Sequence, residues 1–211
     1  MFEPELIASY VYNSNRLDGI SLSEAETLRI LSEQIDPESD VAGEDGKTFE
    51  AEVVLGHDRA LRGMGLTAQS TGPFTGEQLL LLHKTLMGNL LLSAGEYREC
   101  TLRYKGLLIA SPPEHLQERM DWLVNLINTG LERAQDPHKF SWRIHHEFIT
   151  LHPFIEANGR LARLLLNLIR LRRGLDLTVV PFADREAYSR AILEFQQQKI
   201  LRARERASSA E

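Results

Sequence analysis

Apolar positions spaced three and four apart run through most of this chain, and that spacing predicts a largely helical protein. Leu116, Met120, Leu123, Ile127 and Leu131 keep the spacing after Ser111-Pro-Pro-Glu114, a helix-opening sequence with proline where a first turn tolerates it. Thr75-Gly-Glu-Gln78 has the form of a capping box, in which two side chains satisfy each other's orphan N–H groups. It precedes a leucine-rich run predicted helical over 77–94, with Gly95 as its stop. A third start lies at Ser23 and Glu26, ahead of Leu28, Ile30 and Leu31. Leu161, Leu164, Leu165, Leu168 and Ile169 mark another apolar face, closed by Gly174. Residues 97–109 alone alternate in the manner of a strand, and only weakly. Polar, turn-rich residues 36–47 predict a loop, as does the segment from Gly63 to Pro73. The tail from Arg202 reads as a fraying helix end, and no internal repeat is present.

Composition narrows the picture. A length of 211 residues suits one domain, or a domain with a small extension, and allows a sizeable core. A formal net charge of -6 argues against nucleic acid as the main partner. Cys100 is the only cysteine, so a disulfide framework and a thiolate metal site are both excluded, and a reducing compartment fits. No apolar run approaches the roughly 18–20 residues that span a bilayer, and Met1-Phe-Glu-Pro-Glu5 lacks the form of a signal peptide. The expectation is a soluble cytoplasmic protein with no membrane partner.

The chemistry concentrates in residues 152–163, His-Pro-Phe-Ile-Glu-Ala-Asn-Gly-Arg-Leu-Ala-Arg. One base, one carboxylate, an amide, a glycine and two arginines stand immediately before and within the start of an apolar helix. A helix N-terminus offers unpaired N–H groups and the positive end of a macrodipole, and so attracts anions. Gly159 would let the backbone approach a phosphate closely, and Asn158 can donate to phosphate oxygens. Arg160, Arg163, Asn167 and Arg170 recur at helical spacing, but only the first-turn arginines lie near the anion site, which leaves Arg170 a solvated or structural role. Taken singly, His152 would be a capping or core histidine and Glu156 a favourable charge at a helix start. Their joint spacing points instead to a nucleoside triphosphate.

The sequence His152-Pro153-Phe154-x-Glu156-x-Asn158-Gly159-Arg160-x-x-Arg163 resembles the signature of the Fic domain family, whose members transfer a nucleotide onto protein hydroxyls. Arg143-Ile-His-His-Glu-Phe148 is similar to the family's helix leading into the active loop. Asp184-Arg185-Glu186-x-Tyr188 is similar to the opening of its next helix, and the stretch from Gly95 to Ile109 is similar to its β-hairpin flap. The resemblance covers about residues 75–200. It implies an all-α fold with a small β-hairpin flap, divided into N-terminal helices over 1–47 and a Fic core over 48–211.

The same resemblance implies a mechanism. His152 would act as general base on a Ser, Thr or Tyr hydroxyl. Glu156 would hold Mg²⁺ (or Mn²⁺) between the α- and β-phosphates of ATP. Asn158 and the backbone around Gly159 would cradle the α-phosphate, with Arg160 and Arg163 on the β- and γ-phosphates. In-line attack would leave AMP on the target, with positioning and charge neutralisation doing most of the catalysis. Glycine at 159, rather than lysine, favours AMP transfer over phosphate transfer. The family usually has glycine where this chain has Ala157. A positive φ there would strain alanine by roughly 1–2 kcal/mol, so a negative φ is expected.

Ser14-Asn-Arg-Leu-Asp18-Gly19 resembles the family's inhibitory helix motif, in which a glutamate pairs with the second motif arginine, here Arg163. Asp18 stands in for that glutamate with an arm one methylene shorter, and the expected result is a leaky self-inhibited enzyme. Alternatively, Asp18-Gly19 is only a helix-ending turn before the Ser21/Ser23 cap. The implied protein partner would lie along the flap near 97–109 as an added strand, with loose sequence preference. Tyr97 and Arg98 are read at least as readily as packing for the flap's base. Tyr188 is a candidate for lining the adenine pocket, and the N-terminal helices offer a homodimer surface. Two other functions fit the motif: removal of AMP, which needs Asp18 to act as a base, and a catalytically weak nucleotide-binding regulatory module, against which the intact His152 speaks.

Overall fold

The structure, a computed structural model, describes residues 2–33, 47–102 and 111–208. Eight α-helices follow one another there: α1 Pro4–Leu17, α2 Glu24–Glu33, α3 Lys47–Gln69, α4 Gly76–Met87, α5 Leu116–Arg133, α6 Pro137–Leu151, α7 Asn158–Arg172 and α8 Arg185–Ser208. Short 3₁₀ turns at Pro113–His115 and Phe182–Asp184 lead into α5 and α8. Among the described residues no strand occurs. Residues 97–102 are irregular, and the rest of the predicted flap, 103–109, lies outside the described residues, as does nearly all of the 36–47 loop. No helix among the described residues is long and apolar enough to cross a membrane.

The centre of the molecule is α7. Leu161, Ala162, Leu164, Leu165, Leu166, Leu168 and Ile169 are all wholly buried, so this helix is enclosed on nearly every side rather than amphipathic. Helices α3 and α6 pack along it, and α1, α4 and α5 close the remaining sides. Each such leucine contributes about 1.5–3 kcal/mol over leaving it exposed. The enclosure matters for function because the first turn of α7 is thereby fixed in position.

Two predicted boundaries are corrected. The segment from Gly63 to Pro73 is not a loop throughout, because α3 continues to Gln69. Two glycines there cost about 1 kcal/mol each in helix propensity. Burial of Ala60, Leu61 and Met64 outweighs that cost, and Gly65 brings the helix against the ring of Phe2, where a Cβ would stand 3.2 Å from it. Conversely, α4 stops at Met87 instead of running to 94. Residues 88–95 form successive turns, with Leu90 and Leu91 N–H groups both bonded to the Met87 carbonyl. Half-buried Leu90 and Leu91 then pack on the core from the turns. The capping box at Thr75 is formed as expected, Gln78 N–H donating to Thr75 Oγ1 at 3.2 Å and Thr75 N–H to Gln78 Oε1 at 3.1 Å.

Candidate active site

Helix α6 delivers His152 and α7 receives the residues that follow it. Asp136 caps the start of α6 by accepting from Lys139 N–H at 2.9 Å, and His152 is its C-cap, donating its own N–H to Phe148 O at 2.9 Å. His152 adopts a left-handed backbone, φ 48°, and Pro153 cannot continue a helix. Five residues later Ala157 is also left-handed, φ 62°, which overturns the expectation of a negative φ. These are the two non-glycine residues at positive φ among those described, and they bracket the loop. Burial of α7 on nearly every side fixes where its first turn begins, so alanine accepts the strain, roughly 1–2 kcal/mol.

The loop is braced from inside. Asn158 accepts from Phe154 N–H at 3.0 Å and donates from Nδ2 to Phe154 O at 2.8 Å, so its amide closes a ring across the turn and keeps a second N–H. The Phe154 ring lies flat on His83, centroids 3.7 Å apart and 9° from parallel. His83 Nδ1 accepts from Gly95 N–H at 2.8 Å while Nε2 donates to Glu156 O at 3.3 Å, which fixes its tautomer. Arg98 is buried and donates to four carbonyls: His152 at 2.7 Å, Cys100 at 2.7 Å, Ser111 at 2.5 Å and, more weakly, Leu151 at 3.5 Å. Its own N–H bonds Pro153 O at 2.9 Å. Arg98 therefore ties the base-bearing loop to both ends of the 100–111 segment. Arg98→Ala strips donors from buried carbonyls, and we expect a stability loss of about 3–5 kcal/mol in urea unfolding, against about 1 kcal/mol for an ordinary surface change.

The predicted anion site is built by the first turn of α7 and two buried arginines. Arg160 and Arg163 are 5% and 2% exposed. Asp18, the C-cap of α1, sends its carboxylate into this turn. Arg163 Nη2 donates to Asp18 Oδ1 at 2.7 Å and Arg160 Nε to Asp18 Oδ2 at 3.3 Å. Gly159 leaves room for that approach, since a Cβ there would stand 2.5 Å from Asp18 Oδ1. Ser14, one turn earlier on α1, accepts from Arg163 Nε at Oγ, 2.7 Å, and from Nη2 at its carbonyl, 2.8 Å. Gly19, at φ 94°, ends α1 just beyond Asp18, so the pair is a helix-ending turn and an arginine ligand at once. Glu156 is exposed beside this turn. Arg170 lies outside the site, its Nε on Asp176 O at 2.9 Å.

Several parts of the site lie far in sequence from residues 152–163. Arg163 Nη1 donates to the Tyr188 hydroxyl at 3.1 Å, and that hydroxyl is 2.8 Å from Nε2 of buried His145. Tyr188 thus orients an arginine through its hydroxyl. On α3, His57 Nδ1 meets Asn15 Oδ1 at 2.8 Å and fastens α1 from behind. Phe182 N–H donates to Asn13 Oδ1 at 2.8 Å and holds α1 from the other side. Burial works against the charge on both arginines. Attraction to Asp18 and Tyr188 outweighs it at Arg163, which is held above its ordinary range, but not at Arg160, which is held below.

Burial also lowers the imidazoles around the site: His152, His83 and His146 to about 4, and His57 and His145 well below the ordinary value. For His152 the Arg98 charge adds to the lowering, while the Ile149 backbone and Asp18 oppose it. The folded chain therefore holds these rings neutral where an unfolded chain would protonate them. Their contribution to stability is complete above about pH 6.5 and is lost as pH falls toward 4, by about 1.4 kcal/mol per pH unit for each ring. We expect urea midpoints to fall steeply between pH 6.5 and 4.5 and to be flat from 7 to 8.

Residues 73–169 match the model of the Fic/DOC family. The chain carries a Fic/DOC domain. The protein adenylyltransferase fic-1 of Caenorhabditis briggsae is 32% identical over 184 residues, 85% of this chain and 34% of that protein. Protein adenylyltransferase Fic of Nematostella vectensis is 30% identical over 190 residues, 87% of this chain and 42% of that protein. The chain thus spans less than half the length of these curated relatives. Among solved structures, a Fic-domain signaling protein from Bacteroides thetaiotaomicron superimposes with a TM-score of 0.77 at 25% identity, over 90% of this chain and 71% of that one. The helical architecture of the described residues is that of a Fic-domain structure.

Proposed function

We propose that this Fic domain transfers AMP from ATP to a Ser, Thr or Tyr hydroxyl of a protein, and that α1 restrains it through Asp18. The observation that carries the reading is the seat of the Asp18 carboxylate: an anion already lies at the N-terminus of α7 between Arg160 and Arg163, within the reach of His152's loop. A triphosphate presents the same charge in larger measure to the same donors. The names of the curated relatives support the same activity.

In this reaction α7 N–H groups and the two arginines bind and orient the phosphates. Arg160 and Arg163 are fixed before substrate arrives, so little reorganisation opposes charge development at the transition state. His152 is neutral at pH 7 and can take the hydroxyl proton. The hydroxyl oxygen bonds to the α-phosphorus as the bond to the bridging oxygen breaks, and pyrophosphate leaves with that electron pair. Negative charge raises the His152 pKa, as Asp18 already does, so a bound triphosphate makes it a better base.

No cluster of three or more metal-binding side chains occurs among the described residues. One exposed carboxylate, Glu156, borders the anion site. That donor set fits Mg²⁺, which is held by one or two carboxylates with phosphate oxygens and water as the remaining ligands. Bound there, the ion would neutralise phosphate charge.

With the Asp18 carboxylate in place the phosphates and Asp18 compete for the same arginines, so activity rises when α1 withdraws. The test is intact-mass spectrometry of the protein incubated with ATP and Mg²⁺. A gain of one AMP, larger in Asp18→Asn and absent in His152→Ala, supports the reading. Absence of any adduct in Asp18→Asn, with ATP bound, rejects it for the chain alone.

A further inference from the structure

Helices α5, α6 and α8 line a cleft of about 930 Å³ whose composition contrasts with the rest of the chain. The protein as a whole carries a net charge of -6. This cleft is lined by Arg119, Arg143, Lys199 and Arg202 against the carboxylates of Glu118 and Glu147. Buried Glu147 is spent on Lys199, whose ammonium also lies over the Trp122 ring at 5.8 Å. Arg119, Arg143 and Arg202 are exposed, and among the described residues no carboxylate stands within ion-pair distance of them. Trp122, 44% exposed, and Phe195 supply the apolar surface between these charges.

Exposed tryptophan flanked by unpaired arginines in a concavity is the make-up of a binding hot spot rather than of a solvated face. A surface built only for solubility would scatter both signs and avoid a large exposed aromatic. The location is also informative. The cleft begins at His115, just after the 103–110 segment, and at Leu151, the residue before His152.

We propose that this cleft docks an acidic segment of the protein substrate, its carboxylates on Arg119, Arg143 and Arg202 and an apolar side chain on Trp122. The proposal rests on the reading of the chain as a protein-modifying enzyme and adds the chemistry of what it selects. A peptide suits the lining better than a nucleic acid does. Exposed Glu118 would repel a continuous phosphodiester backbone, whereas a peptide offers N–H groups to it and spaces its charges. Docking there holds a target chain next to the base-bearing loop and raises the local concentration of its hydroxyl.

Fluorescence anisotropy tests the proposal on the full chain without reading out transfer. The probes are a fluorescein-labelled glutamate-rich peptide with a central phenylalanine, its lysine-rich counterpart, and labelled oligothymidylate. The glutamate peptide is expected to bind in a salt-sensitive way. Its affinity should fall about tenfold or more in the double variant Arg119→Glu/Arg143→Glu and several-fold in Trp122→Ala. All three positions are exposed, and circular dichroism would verify the fold. Equal binding to wild type and both variants, preference for the oligonucleotide, or no binding of the glutamate peptide overturns the proposal. AMP transfer measured by mass would stand or fall separately.

Discussion

Replacing Asp18 with Gly or Asn is expected to raise the affinity for ATP by about 10- to 150-fold, the worth of a charge-assisted arginine–carboxylate pair at roughly 1.5–3 kcal/mol. The shorter arm of aspartate is compensated by close approach. Gly159 opens a path that any Cβ would obstruct, and Asp18 reaches both arginines where a single pairing was expected. The same substitution carries a second signature. Two arginines, each nine-tenths or more buried, lose their counter-ion, and leaving such charges unpaired costs about 3–5 kcal/mol when desolvation is complete. Asp18 itself is partly exposed, so the loss should be smaller but visible as a lowered melting temperature. ATP should then restore more stability to Asp18→Asn than to the wild type, because the triphosphate replaces the missing anion. Calorimetric titration and melting curves with and without ATP check both parts. Equal affinity in wild type and variant would remove the inhibitory assignment of α1.

The second large effect is the loss of transfer in His152→Ala, expected at about 100- to 10,000-fold with ATP affinity retained. The backbone of His152, at φ 48° with its N–H on Phe148 and its carbonyl on Arg98, is part of what holds the loop. Alanine can occupy that backbone at a strain of roughly 1–2 kcal/mol, and His152→Asn, which tolerates left-handed geometry better, controls for it. Stopped-time assays of both variants in the Asp18→Asn background separate proton transfer from nucleotide access. A variant that binds ATP normally yet transfers at the wild-type rate would exclude His152 as the base.

Residues 152–163 were legible because their chemistry is contiguous: base, carboxylate and arginines sit within one loop and one helical turn, so spacing alone places them together. Asp18 is different. It lies 145 residues from Arg163, and only the resemblance of the Ser14-to-Asp18 segment to an inhibitory motif connected the two. The bracing contacts are less legible: the sequence points to Arg98 as packing at the flap's base and to Tyr188 at the adenine pocket, but not to the groups they hold, and His83 carries no signal of either kind. Arg98 acts on His152 from 54 residues away, His83 on Glu156 from 73, and Tyr188 on His145 from 43. Each serves backbone or hydroxyl groups, which leave no residue-type pattern.

The errors share one cause. Gly63 and Gly65 suggested a loop, and the leucines up to 92 suggested a longer α4, because local propensity was read without the burial of α3 against α1 and α7. Ala157 was expected at negative φ on side-chain preference, but the turn between His152 and the enclosed α7 imposes 62°.

The central claim is transfer of the AMP moiety, and the most direct test uses ATP labelled at the α-phosphate beside ATP labelled at the γ-phosphate. Asp18→Gly protein incubated with each and with Mg²⁺ should acquire label on protein from the α-position only, and His152→Ala in the same background should acquire none. Label from the γ-position, or label that persists without His152, would contradict the account.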